Sequence, residues 1–333
     1  MLNILHLGLG EIGKGAIRAV LARPKHARLV GVVDVHPDLV SKPLSAAMPG
    51  EKVPRLLIAA SIAEGLKSAA AKPDVAILTT GSTTRSVTKT LLELIAARIH
   101  VVSSCEELAY PALRSAREIT ALDRAAAKKG VVILGTGVNP GFAMDIFALT
   151  ATAVCTRIDG IKVVRTLDAG KRRYQLQKKV AAGMSRAAVM KLVRANAIGH
   201  VGLAESVAMI AAGLGWKLQR IEERTEPVIA KSPVNSNHFR VKAGEVRGMR
   251  SLARGIVGGK CKIELDLTMA LGAETYDEVI IRGVPSITVR TTTGFPGDTS
   301  TVGMLINCAT AAPTLQPGVR TMLDVLKVRS IGD

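Results

Sequence analysis

LNILHLGLGEIG, residues 2–13, decides the fold of this chain. A short apolar run over residues 2–7 is followed at once by glycines in the spacing G-x-G-x-x-G, and then by a helical pattern that stops before Pro24. A strand, a glycine turn and a helix in this order bring bare backbone and a helix N-terminus up to a pyrophosphate. A tight βα connection alone would also use glycine, but the N-terminal strand–turn–helix context predicts a dinucleotide-binding unit.

A carboxylate ends the second apolar run, which is rich in valine. Asp34 lies 21 residues after Gly13, where such units place the acid that hydrogen-bonds the adenosine ribose. An acid here repels a 2′-phosphate and favours NAD, whereas His36 or another nearby basic group could admit NADP. The expected cofactor is therefore NAD or NADP.

Strand and helix patterns continue to alternate along the first half of the chain. Apolar runs over 74–79, 99–103 and 131–134 are separated by helical patterns over 84–97 and 111–129. This order predicts an α/β fold, a Rossmann-type doubly wound parallel sheet, whose ligand lies beyond the carboxyl ends of its strands. The candidate cofactor-binding residues are Gly8, Gly10, Glu11, Ile12, Gly13, Asp34, His36, Thr79, Thr80, Gly81, Ser82 and Asn139.

The parallel pattern stops after residue 153. Later runs predict an α+β substrate-binding and dimerisation domain over 141–299, and a dinucleotide-binding domain over 1–140 to which 300–333 returns. We therefore expect a homodimer.

The stretch LGTGVNPGFAMD, residues 134–145, joins the two halves. Asn139 and Pro140 have the chemistry of an N-cap and a first helical residue, which predicts a helix over 142–153. The same turn ends the last parallel strand, so both residues are also candidate contacts to nicotinamide and substrate.

Acidic residues follow the strand at 99–103. Glu106 is expected at its carboxyl end, as a candidate general base. For Glu107 we favour a structural role, in which a first-turn acid complements the dipole of the helix expected from Pro111.

Two basic residues of the second half are candidate substrate contacts. Arg165 shares a strand face with apolar neighbours, so it pairs either with a protein carboxylate or with a substrate carboxylate. His200 lies at a glycine-flanked break between helical patterns, where a turn histidine without function is the commoner case.

Composition excludes several classes of protein. The 333 residues are 48% hydrophobic and lack an apolar run of membrane-spanning length, and the N-terminus has no signal-peptide pattern, so we expect a cytoplasmic protein. The net charge is +18, but only 2% of residues are aromatic, which argues against a nucleic-acid partner. The four cysteines are far apart, which predicts neither a metal site nor a disulfide framework.

Three motifs together resemble 2,4-diaminopentanoate dehydrogenase and the native amine dehydrogenases, within the dihydrodipicolinate-reductase-like group. They are CEELAYP (105–111), GTGVNPGF (135–142) and GHVGLAES (199–206), and the resemblance continues through Arg224–Pro227 and the Pro317-Gly318 region. It implies NAD(P)-dependent oxidative deamination of a small amine to a ketone and ammonia, reversible as reductive amination.

The resemblance also implies roles for particular residues. The catalytic glutamate falls on Glu106, and the substrate contacts fall on Asn139, Arg165 and His200. Leu167 departs from the diaminopentanoate enzymes, which have asparagine there. An apolar side chain cannot hydrogen-bond an amino-acid headgroup, so a less polar amine becomes plausible.

Two alternatives remain at this point. One is another dehydrogenase or reductase of the same architecture, although the His-His pair of dihydrodipicolinate reductase and the Asn-Lys of homoserine dehydrogenase are missing. The other is a non-catalytic NAD(P)-binding regulatory protein, favoured only by the basic charge.

Overall fold

A computed structural model describes residues 1–114, 116–195 and 197–325. These residues form two compact units, one built from 1–142 and 296–325 and the other from 143–295. The predicted return of 300–333 to the first domain extends past the described residues, because 326–333 lie outside them.

The elements follow in chain order. The first part contains β1 (Leu2–Leu7), α1 (Glu11–Leu21), β2 (Ala27–Val33), α2 (Leu44–Ala47), β3 (Ile58–Ala59), α3 (Ile62–Lys67), β4 (Val75–Leu78), α4 (Thr84–Ala96), β5 (His100–Ser103), α5 (Ala116–Lys129) and β6 (Val132–Gly135). The middle part contains α6 (Ile146–Ala151), β7 (Arg157–Asp168), α7 (Tyr174–Lys179), α8 (Arg186–Arg194), α9 (Leu203–Gly213), β8 (Leu218–Ile229), β9 (Val234–Asn235), β10 (Arg240–Val241), β11 (Val246–Val257), β12 (Lys260–Ala270), β13 (Tyr276–Val284) and β14 (Ile287–Thr291). The last part contains α10 (Gly297–Ala311), β15 (Gly318–Arg320) and α11 (Met322–Val325).

The first unit is a seven-stranded sheet in the order β15-β6-β5-β4-β1-β2-β3, and every pairing in it is parallel. Strands β4 and β6 carry no polar side chains, as expected for a sheet covered on both faces. The chain leaves β1 toward β2 on one side and later returns to β4 on the other. This reversal is the switch point at which doubly wound sheets bind ligands, and the fold class predicted from the sequence is confirmed for this unit.

The strands β1, β4, β5 and β6 are neighbours in the sheet, and the loops that follow them all begin at the carboxyl ends of these strands. Backbone hydrogen bonds join them in series: Thr79 N–H donates to Leu7 O, Ser104 N–H to Leu78 O, and Thr136 N–H to Ser103 O. These four loops therefore lie side by side within this unit.

The second unit is built around a mixed six-stranded sheet in the order β14-β13-β7-β12-β11-β8. Strands β7 and β12 pair in parallel, and the other neighbouring strands of this sheet pair antiparallel. Helix α9 packs on β11, β12 and β8 and is buried along nearly its whole length. A Cβ on Gly255 would overlap Val207 of α9, so that glycine permits the close approach.

The other face of this sheet is polar. It carries ion pairs between neighbouring strands, including Lys162–Glu264 at 2.9 Å, Arg250–Asp266 at 2.6 Å and Arg254–Glu264 at 3.3 Å. No helix among the described residues is both long enough and apolar enough to cross a membrane.

Two helix predictions were wrong in their starting points. The helix predicted over 142–153 begins at Ile146, and Asp145 is its N-cap, with Asp145 Oδ1 accepting from Ile146 N–H at 2.6 Å. Asn139 cannot cap it because Gly141 intervenes with a φ of 122°, which no helix accommodates. The helix predicted from residue 111 begins at Ala116, after a 3-10 turn over Pro111–Leu113.

Gly135 fixes the position of the turn that carries Glu106. A Cβ there would overlap the backbone carbonyl of Leu108. We therefore expect Gly135→Ala to lower the free energy of unfolding by about 1–3 kcal/mol, because rigid backbone must move apart. Gly303→Ala in α10 is the matched control: its Cβ would meet nothing within 4 Å, and helix propensity should raise stability by about 0.5–1 kcal/mol. Urea denaturation of both variants measures this, and equal effects would refute the steric account.

Candidate active site

The carbonyl oxygen of Gly8 organises the glycine turn. It accepts one hydrogen bond from Nε2–H of His6 at 2.8 Å and another from Oγ1–H of Thr79 at 2.9 Å. Gly8 has a φ of 95°, which favours glycine. Because Thr79 follows β4 and His6 lies in β1, the two bonds tie the turn to both strands of the switch point.

The turn leaves no space for side chains where backbone must approach backbone. A Cβ on Gly13 would overlap the Gly8 carbonyl, so α1 can begin against the end of β1 only with glycine at that position. A Cβ on Gly10, the N-cap of α1, would meet nothing within 4 Å. The helix N-terminus therefore opens onto clear space, which fits a dinucleotide pyrophosphate.

Asp34 stands at the end of β2 with its carboxylate fixed by backbone. Oδ2 accepts from Leu9 N–H at 2.6 Å and Oδ1 from His36 N–H at 2.8 Å. A carboxylate has about four acceptor sites, so each oxygen retains one for a ribose hydroxyl. The His36 side chain is exposed, and its Nδ1 accepts from Asp38 N–H at 3.2 Å.

Glu107 has a structural role, but not at the helix first expected. Its Oε2 accepts from the backbone N–H of Thr84 at 2.8 Å and from the Thr84 hydroxyl at 3.0 Å, in the first turn of α4. Glu107 N–H donates to Ser82 O at 3.2 Å. The loops after β4 and β5 are thus held together, with Thr80 and Gly81 in the first of them.

Glu106 is the first residue of a 3-10 turn, Glu106–Ala109, at the carboxyl end of β5, and it is half-buried. The preceding residue, Cys105, is not a candidate nucleophile. Burial raises the pKa of the Cys105 thiol to about 12, so it stays protonated and is a poor nucleophile.

The loop 136–141 follows β6 on the other side of β5. Its Asn139–Pro140 peptide bond is cis, and Asn139 is half-buried. Val138 N–H donates to the Thr301 hydroxyl of α10 at 3.2 Å. The structure therefore places Glu106 and Asn139 on loops of adjacent strands within the first unit.

Arg165 belongs to the second unit and has a protein carboxylate as its partner. Its Nη1 donates to Asp277 Oδ1 at 2.5 Å and its Nη2 to Phe295 O at 2.7 Å, and the residue is 1% exposed. Asp277 Oδ2 in turn accepts from Phe295 N–H at 2.7 Å. The pair thus holds both backbone groups of Phe295.

His200 and Leu167 also belong to the second unit. Leu167 is buried on the same strand face as Arg165. Burial, with smaller contributions from the positive charges of Lys179 and Arg165, lowers the pKa of His200 to about 3. The imidazole is therefore neutral near pH 7, able to accept one hydrogen bond and donate another.

Reasoning from the sequence missed two residues, one in each unit. His6 is one, although its signal was visible as the single ionisable residue inside the apolar run of β1. Lys179 is the other, and nothing in the sequence distinguishes it from the remaining basic residues.

A glycine turn at the switch point, an acid fixed at the end of β2 and a carboxylate-bearing turn after β5, two strands from β1, are together typical of nicotinamide-dependent oxidoreductases. The chain is a dehydrogenase of this class.

Comparison with known proteins specifies the family. Residues 142–333 match the 2,4-diaminopentanoate dehydrogenase C-terminal domain. The chain is 30% identical to the 2,4-diaminopentanoate dehydrogenase of Acetoanaerobium sticklandii, covering 99% of this chain and 94% of that protein. It therefore belongs to the 2,4-diaminopentanoate dehydrogenase family, as its motifs predicted.

Solved structures agree on the fold. An amine dehydrogenase from Mycobacterium smegmatis superimposes with a TM-score of 0.82 at 21% identity, covering 98% of this chain and 97% of that one. The WlbA dehydrogenase from Bordetella pertussis, solved with NADH and UDP-GlcNAcA, gives 0.57 at 15% identity over 97% and 92% of the two chains. Dihydrodipicolinate reductase from Paenisporosarcina sp. TG-14 gives 0.53 at 13% identity over 98% and 100%.

The buried pair of Arg165 and Asp277 generates a stability prediction. Arg165→Met should lower the free energy of unfolding by about 3–5 kcal/mol, because it leaves the Asp277 carboxylate buried without its counterion. The double variant Arg165→Met/Asp277→Leu should recover much of that loss. The exposed pair Arg220–Glu222 is the control, and Arg220→Met should change stability by no more than about 1 kcal/mol. Urea titration at pH 7 measures all three, and additive losses in the double variant would contradict a coupled pair.

His6 predicts how stability depends on pH. Burial lowers its pKa from 6.5 to about 4, so between these values the unfolded chain binds a proton that the native protein does not. Stability is therefore highest above pH 6.5 and should fall as the pH drops toward 4, by up to about 1.4 kcal/mol per pH unit from this residue. His6→Gln keeps a donor but does not titrate, so its curve should be flatter, whereas exposed His26→Gln should match the wild type. Parallel curves for wild type and His6→Gln would rule this out.

Proposed function

We propose that the protein catalyses the reversible NAD(P)-dependent oxidative deamination of a small amine to a ketone and ammonia, on a carbon outside the α-amino-acid position. The observation that carries the proposal is the placement of Glu106, on the turn after β5, beside the loops of β4 and β6 and two strands from the glycine turn. A carboxylate at the carboxyl ends of the parallel strands lies where catalytic groups of doubly wound enzymes are found.

The chain provides a fitting cofactor site. Gly10 and the α1 N-terminus would hold the pyrophosphate, and Asp34 would accept hydrogen bonds from the adenosine ribose. A nicotinamide dinucleotide bound there supplies the hydride acceptor for deamination and the hydride donor for amination. Because the Asp34 carboxylate is held in place by Leu9 and His36 amides, it would repel a 2′-phosphate, and we propose that NAD is preferred to NADP.

Glu106 acts as the general base. In deamination, the amine carbon loses a hydride, and the resulting iminium is attacked by water at that carbon. Glu106 accepts a proton from the attacking water and returns it to the nitrogen of the tetrahedral adduct. The C–N bond then breaks as the adduct hydroxyl loses its proton to Glu106, and ammonia and a ketone are released. Proton transfer of this kind contributes roughly 10²- to 10⁴-fold to a rate, and orientation of the reactants supplies much of the remainder.

The remaining site residues position the substrate. Asn139 and Pro140 would border the reacting carbon from the loop after β6. In the second unit, the neutral His200 would donate or accept one hydrogen bond, and Leu167 would present an apolar wall. Arg165 would act by holding Phe295 in place.

We also propose a cytoplasmic location, consistent with four free cysteines, and a homodimer, which gel filtration with light scattering would test.

Glu106→Gln is the direct test of the base. We expect kcat for reductive amination of a ketone panel with ammonia to fall by about 10²-fold or more, because the amide cannot accept the proton, while NADH binding stays within about twofold. Nicotinamide absorbance follows turnover with both cofactors, and fluorescence titration follows binding.

Glu107→Gln is the matched control for that experiment. It removes the neighbouring carboxylate, which contacts Thr84 of α4 and Arg114, so it should lower stability while turnover persists. Undiminished turnover in Glu106→Gln would refute the role of the base. Tight NADH binding by the wild type with no reaction across amines, amino acids and hydroxy acids would favour a regulatory protein instead.

A further inference from the structure

The peptide group between Gly8 and Leu9 is hydrogen-bonded on both of its sides. Its carbonyl oxygen accepts from Nε2–H of His6 at 2.8 Å and from the Thr79 hydroxyl at 2.9 Å. Its N–H, on the opposite side of the same rigid plane, donates to Oδ2 of Asp34 at 2.6 Å. The two donors on one side of the plane therefore determine where the N–H on the other side points.

Gly8 does not fix this plane by its own sterics. Its φ of 95° favours glycine, and a Cβ there would come within 2.9 Å of the Thr80 side chain. A residue without a Cβ turns more freely about its backbone bonds, so the orientation of the next peptide depends on hydrogen bonds. Removing the donors would let this peptide turn, and it would take the Leu9 N–H away from Asp34.

His6 contributes one N–H group to this arrangement. Burial lowers the pKa of His6 to about 4, against smaller opposing effects of its bond to Gly8 and of the Asp34 charge, so the imidazole is neutral near pH 7. Because Gly8 O can only accept, the hydrogen of the neutral ring is on Nε2. The buried Nδ1 has no hydrogen-bond partner among the residues that the structure describes. An apolar side chain would suit the interior of β1 better, so the Nε2–H donor is what histidine adds at this position.

The orientation of the Asp34 carboxylate decides how it acts on a cofactor. Oδ2 is held by the Leu9 N–H and Oδ1 by the His36 N–H, which donates at 2.8 Å. Held in this way, each oxygen keeps an acceptor site for a ribose hydroxyl, and the fixed charge opposes a 2′-phosphate. A carboxylate that lost the Leu9 N–H would turn about its side-chain bonds. Hydroxyl binding would then weaken, and the repulsion of a phosphate would be partly relieved.

We infer that His6 and Thr79 are positioning residues for cofactor discrimination. Through the Gly8–Leu9 peptide, they hold the Asp34 carboxylate in the orientation that accepts the ribose hydroxyls of NAD and opposes the 2′-phosphate of NADP. All five residues belong to the first unit. The inference rests on the proposed preference for NAD and does not depend on which amine is the substrate.

Dinucleotide binding tests the inference without turnover. Dissociation constants of the full-length protein for NADH and NADPH are measured by fluorescence titration. We expect the wild type to bind NADH at least about tenfold more tightly than NADPH. Asp34→Asn should remove most of that ratio, and it sets the value expected when the acid no longer discriminates.

Variants of the two donors then test their role. His6→Leu should weaken NADH binding by about 5- to 10-fold and NADPH binding by less than about twofold, because the bonds from the ribose hydroxyls to the carboxylate are weakened. Thr79→Val should act in the same direction by about threefold, since the Thr79 hydroxyl also lies 3.1 Å from Leu7 O. His6→Gln and Thr79→Ser keep the donors and should retain the wild-type ratio.

His100→Leu is the matched control. His100 is the first residue of β5 in the same sheet, and its Nδ1 accepts from Val132 N–H at 3.1 Å. The substitution also removes a bond between histidine and backbone, but at the amino end of a strand. Both dissociation constants should therefore stay within about twofold of the wild type. Thermal unfolding midpoints verify folding, and the isosteric Thr79→Val decides the question if His6→Leu does not fold.

Each failure has its own pattern. If the wild type binds neither dinucleotide, the proposed cofactor site is wrong and the inference falls with it. If it binds both equally, the proposed preference for NAD is wrong, with the same consequence. If the wild type and Asp34→Asn behave as expected but the donor variants keep the ratio, or weaken both cofactors equally, the cofactor site stands and the positioning role is overturned.

Loss of the ratio in His6→Gln would also overturn the positioning role, because the N–H donor would then not be the property that matters. A failure of amine or ketone turnover would refute the proposed reaction and leave these dissociation constants, and the inference, unaffected.

Discussion

The first unit depends on the hydrogen-bonded carbonyl of Gly8. Its two donors come from β1 and from the loop after β4, so the bonds join the carboxyl ends of these two neighbouring strands at the switch point. The backbone of Gly13 packs on the same oxygen, which brings the α1 N-terminus to that spot. Without these contacts, the positive end of helix α1 would not lie beside the Asp34 carboxylate at the carboxyl ends of β1 and β2. The proposed cofactor site is thus preorganised by backbone contacts, and the proposed general base lies on a loop of the same sheet.

A buried ion pair plays the corresponding role in the second unit. Arg165 and Asp277 are register partners on β7 and β13, and together they fix Phe295 at the end of the unit. Burying both charges carries a desolvation penalty, which is offset only where the geometry is good and further hydrogen bonds satisfy the remaining donors and acceptors. Here Phe295 supplies those bonds. Phe295 also packs edge-on against Phe147, with ring centroids 5.4 Å apart, so the pair orders an apolar contact as well.

The sequence predicted the strands and turns whose residue patterns are local. Glycine spacing and short apolar runs identified β1, β4, β5 and the turn between β1 and α1, because their signals lie within a few residues. It could not identify contacts between distant residues: Arg165 meets a carboxylate 112 positions away, and Glu107 meets Thr84 23 positions earlier. The helix start at Asn139 failed for a different reason. Its capping chemistry was sound, but the left-handed Gly141 stops the chain from continuing as a helix.

These distant contacts change how the family resemblance should be applied to specificity. Leu167 cannot hydrogen-bond a polar headgroup. Arg165, two residues earlier on the same face, donates to Asp277 and to Phe295 O, so its charge is balanced within the second unit. The neutral His200 retains hydrogen bonding but no charge.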